Sequence, residues 1–307
     1  MNRTAADSVT LIDSPWPPEL ACRPIDDAEI AQLAHGLHGT STFAPGAPKL
    51  LSALLDPLLD IETLATRVSA EPGLAVRVLR VANSPYYGQA GEVSSVARAA
   101  QVLGLQALRG IAAAACFGGV GIPPRHQRSV DMNALRRHCL ATACAAQALA
   151  EHAMPPLADA AFMAGLLHDM GLLVHWWVRP AQRVWLVEAL PPHEHAAIEL
   201  DLLGATHAHC GRQLLAAWHL PPKMVEAIGA QGSAAVREAA AVAEGGAPSL
   251  AVVLALADRL AADAGQPLDG DETPVELPLA GPLAQACEAV AANLPAMLER
   301  LGAVFGD

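Results

Sequence analysis

Ala161-Phe-Met-Ala-Gly-Leu-Leu-His-Asp-Met-Gly-Leu-Leu173 is the stretch on which the reading of this chain turns. Apart from His168 and Asp169 it carries no ionisable side chain. Its Ala, Leu, Met and Phe content suits a helix buried on all sides. A carboxylate inside such a run must meet a donor, a cation or a metal, because burying it alone is costly. Two readings are open at this point. Asp169 is a structural group that accepts backbone N–H bonds or pairs with a histidine, or His168 and Asp169 are a metal-ligand pair.

Composition points the same way around this stretch. Of the 307 residues, 53% are hydrophobic but only 4% are aromatic. Much of the apolar content is Ala and Leu, the strongest helix formers, while strand-favouring residues are scarce. An all-α fold with a sizeable core is expected. The formal net charge of −12 repels duplex nucleic acid, and the basic run Arg125, Arg128, Arg136 and Arg137 reads as a short solvated segment, so no nucleic-acid partner is expected. Six cysteines are scattered without a CxxC pair, which argues against a zinc ribbon or a thioredoxin motif. Met1 to Leu20 holds no apolar signal core, and the uncharged Gly110–Pro124 stretch falls short of the ~20 residues that cross a bilayer. A cytoplasmic location without membrane insertion is the expectation.

Helix signals fill most of the chain. Residues 1–42 read as an N-terminal extension with one short helix around Asp27 to Leu37. Phe43–Pro48 is Pro-punctuated, and a helix fits Lys49–Leu55. Asp60 caps a helix with Ile61, Leu64 and Val68 on one face. Pro72 opens the next in its first turn, and Asn83-Ser84-Pro85 closes it. Ser95 caps a helix that Gly104 ends, and Leu105–Phe117 continues. The spacing then predicts helices over Met132–Glu151, Ala158–Trp177, Ala196–Leu202, Ala208–Trp218, Lys223–Ile228, Ala234–Glu244 and Ser249–Ala262. Gln266–Gly281 reads as a Pro- and acid-rich linker, and Leu283–Leu301 as a last amphipathic helix that Pro295 could kink. No 20–50-residue period argues for a solenoid.

Several runs resemble one family. Gly165-Leu-Leu-His-Asp-Met-Gly171 resembles the His-Asp dyad of the HD phosphohydrolase superfamily. Glu71-Pro-Gly-Leu-Ala-Val-Arg-Val-Leu-Arg-Val-Ala-Asn-Ser-Pro-Tyr-Tyr-Gly88 is similar to the hallmark of the HDOD branch, with Pro72, Leu74, Asn83 and Ser84 at its fixed positions and Glu71 where an Asp is usual. Ser94–Gly104, the Pro-punctuated Phe43–Pro57, and His207…Gly211…Trp218…Pro221 match further family elements in the family's order. The resemblance spans roughly residues 43–262. It implies an HD-like helical bundle, residues 130–262, carrying an added N-terminal helical half, residues 43–125. Residues 263–307 would be an acidic linker and a C-terminal helix. It also implies a bacterial regulatory module whose partners are signalling proteins such as receiver or cyclic-di-GMP-related domains.

The resemblance further implies a ligand set. His138 stands at the first histidine position, His168 and Asp169 at the dyad, and Asp258 at the distant aspartate. His207 matches an extra histidine of the HD-GYP branch. That branch's histidine pair is replaced by Gln231-Gly232, and its GYP motif is absent. The remaining set suits a divalent Mn, Fe or Zn ion, but no lysine or arginine stands out as a phosphate clamp; Arg137 and Arg212 are the nearest in sequence. The expectation is a vestigial centre in a module that binds rather than catalyses, with no resident cofactor. The alternative is a metal-dependent nucleotide or cyclic-dinucleotide phosphohydrolase. Among weaker candidates, His193 and His195 read as surface histidines, Trp176 and Trp177 as packing, and Tyr86 and Tyr87 as a surface contact.

Overall fold

The structure, a computed structural model, describes residues 16–37, 50, 53–56, 58–84, 87, 93–118, 131–190, 194–231, 248–266, 268 and 281–302. Helix α1 spans Asp27–Leu37, α2 Ile61–Ser69, α3 Pro72–Ala82 and α4 Val96–Gly118. After these come α5 (Met132–Ala153), α6 (Ala158–Leu167), α7 (Met170–Val178), α8 (Pro180–Ala189) and α9 (His195–Leu203). The last are α10 (His207–Ala217), α11 (Pro222–Gly229), α12 (Leu250–Asp263) and α13 (Gly281–Gly302). No strand occurs among the described residues, so the fold is all-α as composition requires.

Local signals set most of these boundaries. The Asp60 carboxylate accepts from Thr63 N at 2.7 Å, and Ser249 and Thr206 cap α12 and α10 in the same way. Pro72 occupies the start of α3, where its missing N–H leaves nothing unsatisfied. Gly104 sits at φ 78° inside α4, a left-handed conformation that side chains disfavour. It separates the two segments that the sequence marks there.

Helix α5 is flanked by α6, α12 and α13. Its buried face is rich in small residues, including Ala141, Ala143, Cys144, Ala145 and Ala146. Helix α6 also touches α4, α11 and α12. The N-terminal helices α2 and α3 pack on α4, and α4 in turn contacts α6, with Gly110 facing Phe162. Arg109 fastens the same seam: its guanidinium donates to the carbonyls of Asp56 (2.7 Å) and Leu59 (3.0 Å) and meets the Asp159 carboxylate at 3.1 Å.

The structure differs from the sequence expectations in identifiable places. Ala158–Trp177 is not one helix: it breaks at His168 and Asp169, which form the turn between α6 and α7. Residues 16–37, expected as an extension, are docked on the body. Ile25 N bonds Leu203 O at 2.7 Å, Ile30 is wholly buried, and Arg179 holds Glu29 with two nitrogens, at 3.0 and 3.1 Å. Helix α8 was not foreseen. The helix predicted over Ala234–Glu244, the Gly118–Pro124 loop beyond Gly118, and nearly all of the Gln266–Gly281 linker lie outside the described residues. The run Pro155–Val178 has the length and hydropathy of a membrane span, but 83% of its apolar 18-residue window is buried inside the fold. The break at His168-Asp169 makes it a pair of core helices.

Candidate metal centre

Four of the residues singled out in the sequence meet at one point. His138 comes from the first half of α5, His168 and Asp169 from the α6–α7 turn, and Asp258 from α12. His138 Nε2 lies 3.0 Å from Asp258 Oδ1 and 3.6 Å from Asp169 Oδ2. His168 Nε2 lies 3.2 Å from Asp169 Oδ2 and 3.5 Å from Asp258 Oδ1. The two Nε2 atoms are 3.1 Å apart. Side-chain exposure is 0% for His138, 1% for His168, 2% for Asp169 and 23% for Asp258.

Two glycines let the elements close around this point. A Cβ on Gly165 would stand 2.7 Å from the Ala143 backbone of α5. A Cβ on Gly171 would run into the His207 carbonyl and stand 2.6 Å from Gly211 N of α10. Helix α6 can therefore lie directly on α5, and α7 directly on α10.

The backbone fixes which ring nitrogens face the cluster. His138 Nδ1 donates to the Gln266 carbonyl at 2.8 Å, and His168 Nδ1 donates to the Gly165 carbonyl at 2.7 Å. A carbonyl can only accept, so each Nδ1 carries a hydrogen, and a neutral ring then presents its Nε2 lone pair inward. Asp169 Oδ2 and Asp258 Oδ1 are buried without a hydrogen bond of good geometry. Two imidazole lone pairs and two carboxylate oxygens thus share one small volume, which only a cation or added protons can reconcile. Burial opposes the charged form of His168, but the Asp169 charge beside it outweighs burial and holds its pKa well above the usual value. Burial would raise the two carboxyls, yet the facing histidines bring both below the ordinary range.

Cys139 is the neighbour that the sequence reading left aside. It is fully buried, and its sulfur, a His168 nitrogen and an Asp169 oxygen all lie within 4.8 Å of one another. His138, His168 and Asp258 form a second group of the same tightness, so His168 belongs to both.

His207 stands outside both groups but close enough for its charge to act on Asp169. It opens α10, and its Nδ1 contacts Glu199 at 2.7 Å while its backbone N–H donates to the same carboxylate oxygen at 2.9 Å. Glu199 is itself buried and pairs with buried Arg183 at 2.8 Å. His175 lies 3.6 Å from the other Glu199 oxygen and donates through Nε2 to the Ala205 carbonyl. Sequence reasoning missed Glu199 and Arg183. The available signal was an acid among Ile198, Leu202 and Leu203 on an apolar helix.

The remaining residues have structural places. The Asn83 amide donates to the Leu79 and Val93 carbonyls, and its oxygen accepts from Val93 N. It therefore spans ten residues rather than merely closing its own turn. Leu74 and Trp218 are buried, Ser84 follows the end of α3, and Pro221 precedes α11. Gln231 donates to the His168 carbonyl at 3.1 Å; Gly232 lies outside the described residues. His195, expected on the surface, is instead buried, with Nε2 donating to the Leu190 carbonyl at 3.0 Å. Trp176 is core, and Trp177 and Tyr87 are partly buried against the hydrophobic core. His193 and Tyr86 lie outside the described residues.

A sequence model described as the HDOD domain matches residues 41–234. No curated protein matches the chain. An HDOD domain protein of unknown function from Geobacter sulfurreducens superimposes with a TM-score of 0.66 at 20% identity, covering 92% of this chain and 100% of that one. A protein from Shewanella amazonensis SB2B, provisionally named a phosphohydrolase, gives 0.64 at 24% identity over 91% and 98%. One from Marinobacter aquaeolei VT8, provisionally named a signal transduction protein, gives 0.61 at 24% over 92% and 68%. At these identities the likeness is one of fold.

Proposed function

Because the chain belongs to the HDOD family, we propose that it acts as a bacterial regulatory module that works by binding rather than by turnover. The observation that carries this reading is the enclosure of the His-Asp centre. Three of its four residues are at most 2% exposed. Among the described residues no lysine or arginine pairs with Asp169 or Asp258. A phosphoryl-transfer site needs an open position on its metal and cations to meet charge developing on the phosphate. Here the donors face one another, and Gln231 lies against the dyad backbone.

The partner class is a signalling protein of the receiver or cyclic-di-GMP-related kind, engaged through the helical surface. A cytoplasmic setting fits the free cysteines: Cys22, Cys139, Cys144, Cys210 and Cys287 all lack a disulfide.

A second reading rests on a specific observation. The Nδ1 tautomers and the orphaned carboxylate oxygens suit a divalent cation held by His138, His168, Asp169 and Asp258. Such an ion would supply Lewis acidity and an activated water. Purified protein reconstituted with Mn, Fe or Zn, offered cyclic dinucleotides and nucleotide phosphodiesters, separates the two. We expect no turnover above that of Asp169→Ala. Hydrolysis that Asp169→Ala abolishes in a folded protein would overturn the binding-only reading.

A further inference from the structure

We propose that Cys139 is a ligand of the His-Asp centre, and that the centre takes a thiophilic divalent ion, Zn(II) foremost, in preference to Mn(II) or Mg(II). This rests on the reading that the centre holds a metal cation.

Cys139 directly follows His138 on α5, and both residues are fully buried. Its sulfur shares a 4.8 Å cluster with His168 and Asp169, the two residues of the dyad. Within that cluster Asp169 Oδ2 is buried and accepts no hydrogen bond of good geometry. An orphaned carboxylate oxygen beside an imidazole nitrogen and a sulfur is a set of donors without an acceptor. The other buried thiols are different. Cys144, on the same helix, is surrounded by apolar groups, and burial alone pushes its pKa up to about 12. Cys210 also meets a histidine, His175, at 3.5 Å, but Cys139 is the cysteine whose sulfur closes a cluster of three candidate ligand atoms among the described residues.

The donor chemistry selects the ion. A set of two imidazoles and two carboxylates accepts a broad range of divalent metals, whereas a thiolate shifts preference towards Zn(II) and away from the oxygen-seeking Mn(II) and Mg(II). The step balances without an oxidant. The thiol gives its proton to solvent as the sulfur–metal bond forms, one proton per ion, and the metal keeps its oxidation state.

Metal-free, full-length protein titrated with Co(II) tests this directly. We expect weak visible bands from a low-symmetry site together with a near-ultraviolet thiolate-to-cobalt charge-transfer band. In Cys139→Ser the charge-transfer band is lost while the visible bands remain. Zn(II) should bind Cys139→Ser at least about tenfold more weakly, the lower end of what even outer-shell changes cost, whereas Mn(II) binding should not change. Cys139→Ala gives the same comparison if the buried hydroxyl impairs folding. Visible bands without charge transfer in the wild type would overturn the thiolate assignment and leave the metal reading standing. Charge transfer that survives in Cys139→Ser would also overturn it. Failure of the wild type to bind Co(II), Zn(II) or Mn(II) at all would overturn both.

Discussion

His138 Nε2 and His168 Nε2 face each other at 3.1 Å while the opposite nitrogen of each ring is tied to a carbonyl. Neutral rings held this way oppose two lone pairs at hydrogen-bond distance. In metal-free protein the conflict is relieved by protonation, with Asp169 and Asp258 as counterions. The centre therefore contributes to stability whether or not it holds an ion.

Asp169 is the deepest of the counterions, and its removal leaves His168 buried beside an unbalanced proton. Asp169→Ala should destabilise metal-free protein by about 3–5 kcal/mol, and Asp169→Asn, which keeps shape and an acceptor, by less. Urea unfolding followed by circular dichroism measures both. An Asp169→Ala protein as stable as the wild type would contradict the geometry described above.

Arg183 and Glu199 form a buried pair at 2.8 Å, and Glu199 also holds both nitrogens of the His207 contact. Arg183→Met should cost about 3–5 kcal/mol by removing the guanidinium that meets Glu199 Oε1 in the buried interior. The double variant Arg183→Met, Glu199→Leu should recover part of that loss, since two isolated charges are worse than none. Additive losses in the double-variant cycle would mean that the pair is not coupled.

Glycine positions separate packing from conformation. Gly171→Ala should prevent α7 from seating on α10, because the new methyl collides with backbone atoms of His207 and Gly211; little folded protein is expected. Gly73→Ala meets nothing within 4 Å in the first turn of α3. It should raise stability by about 0.5–1 kcal/mol through helix propensity. Thermal melts of the two variants should move in opposite directions.

His175 supplies a pH signature. Burial holds its pKa down at about 4, against an ordinary 6.5. Between those values the unfolded chain takes up a proton that the folded chain refuses. Stability should therefore fall as pH drops from 6.5 towards 4, by at most about 1.4 kcal/mol per pH unit from this group. His175→Gln, which retains a donor for the Ala205 carbonyl, should flatten that part of the profile. A profile unchanged by the substitution would exclude His175 as its source.

Much of the architecture was legible along the chain because its signals are local. Asp60, Pro72, Ser95, Gly104 and Ser249 mark helix ends through bonds and torsions within one turn of themselves. An aspartate in an uncharged apolar run already required a partner, and the family resemblance supplied the positions to look for it. Only the tertiary structure decided the rest. The apolar run from Ala158 does not stay helical across His168 and Asp169, because the cluster they enter is formed by α5 and α12, distant in sequence. Helix α8 and the Arg183–Glu199 pair gave no periodic signal, since their energy comes from burial against other elements rather than from local propensity. The docking of α1 and the proximity of the Cys139 sulfur to the dyad likewise depend on which surfaces meet, and that is set by packing in three dimensions.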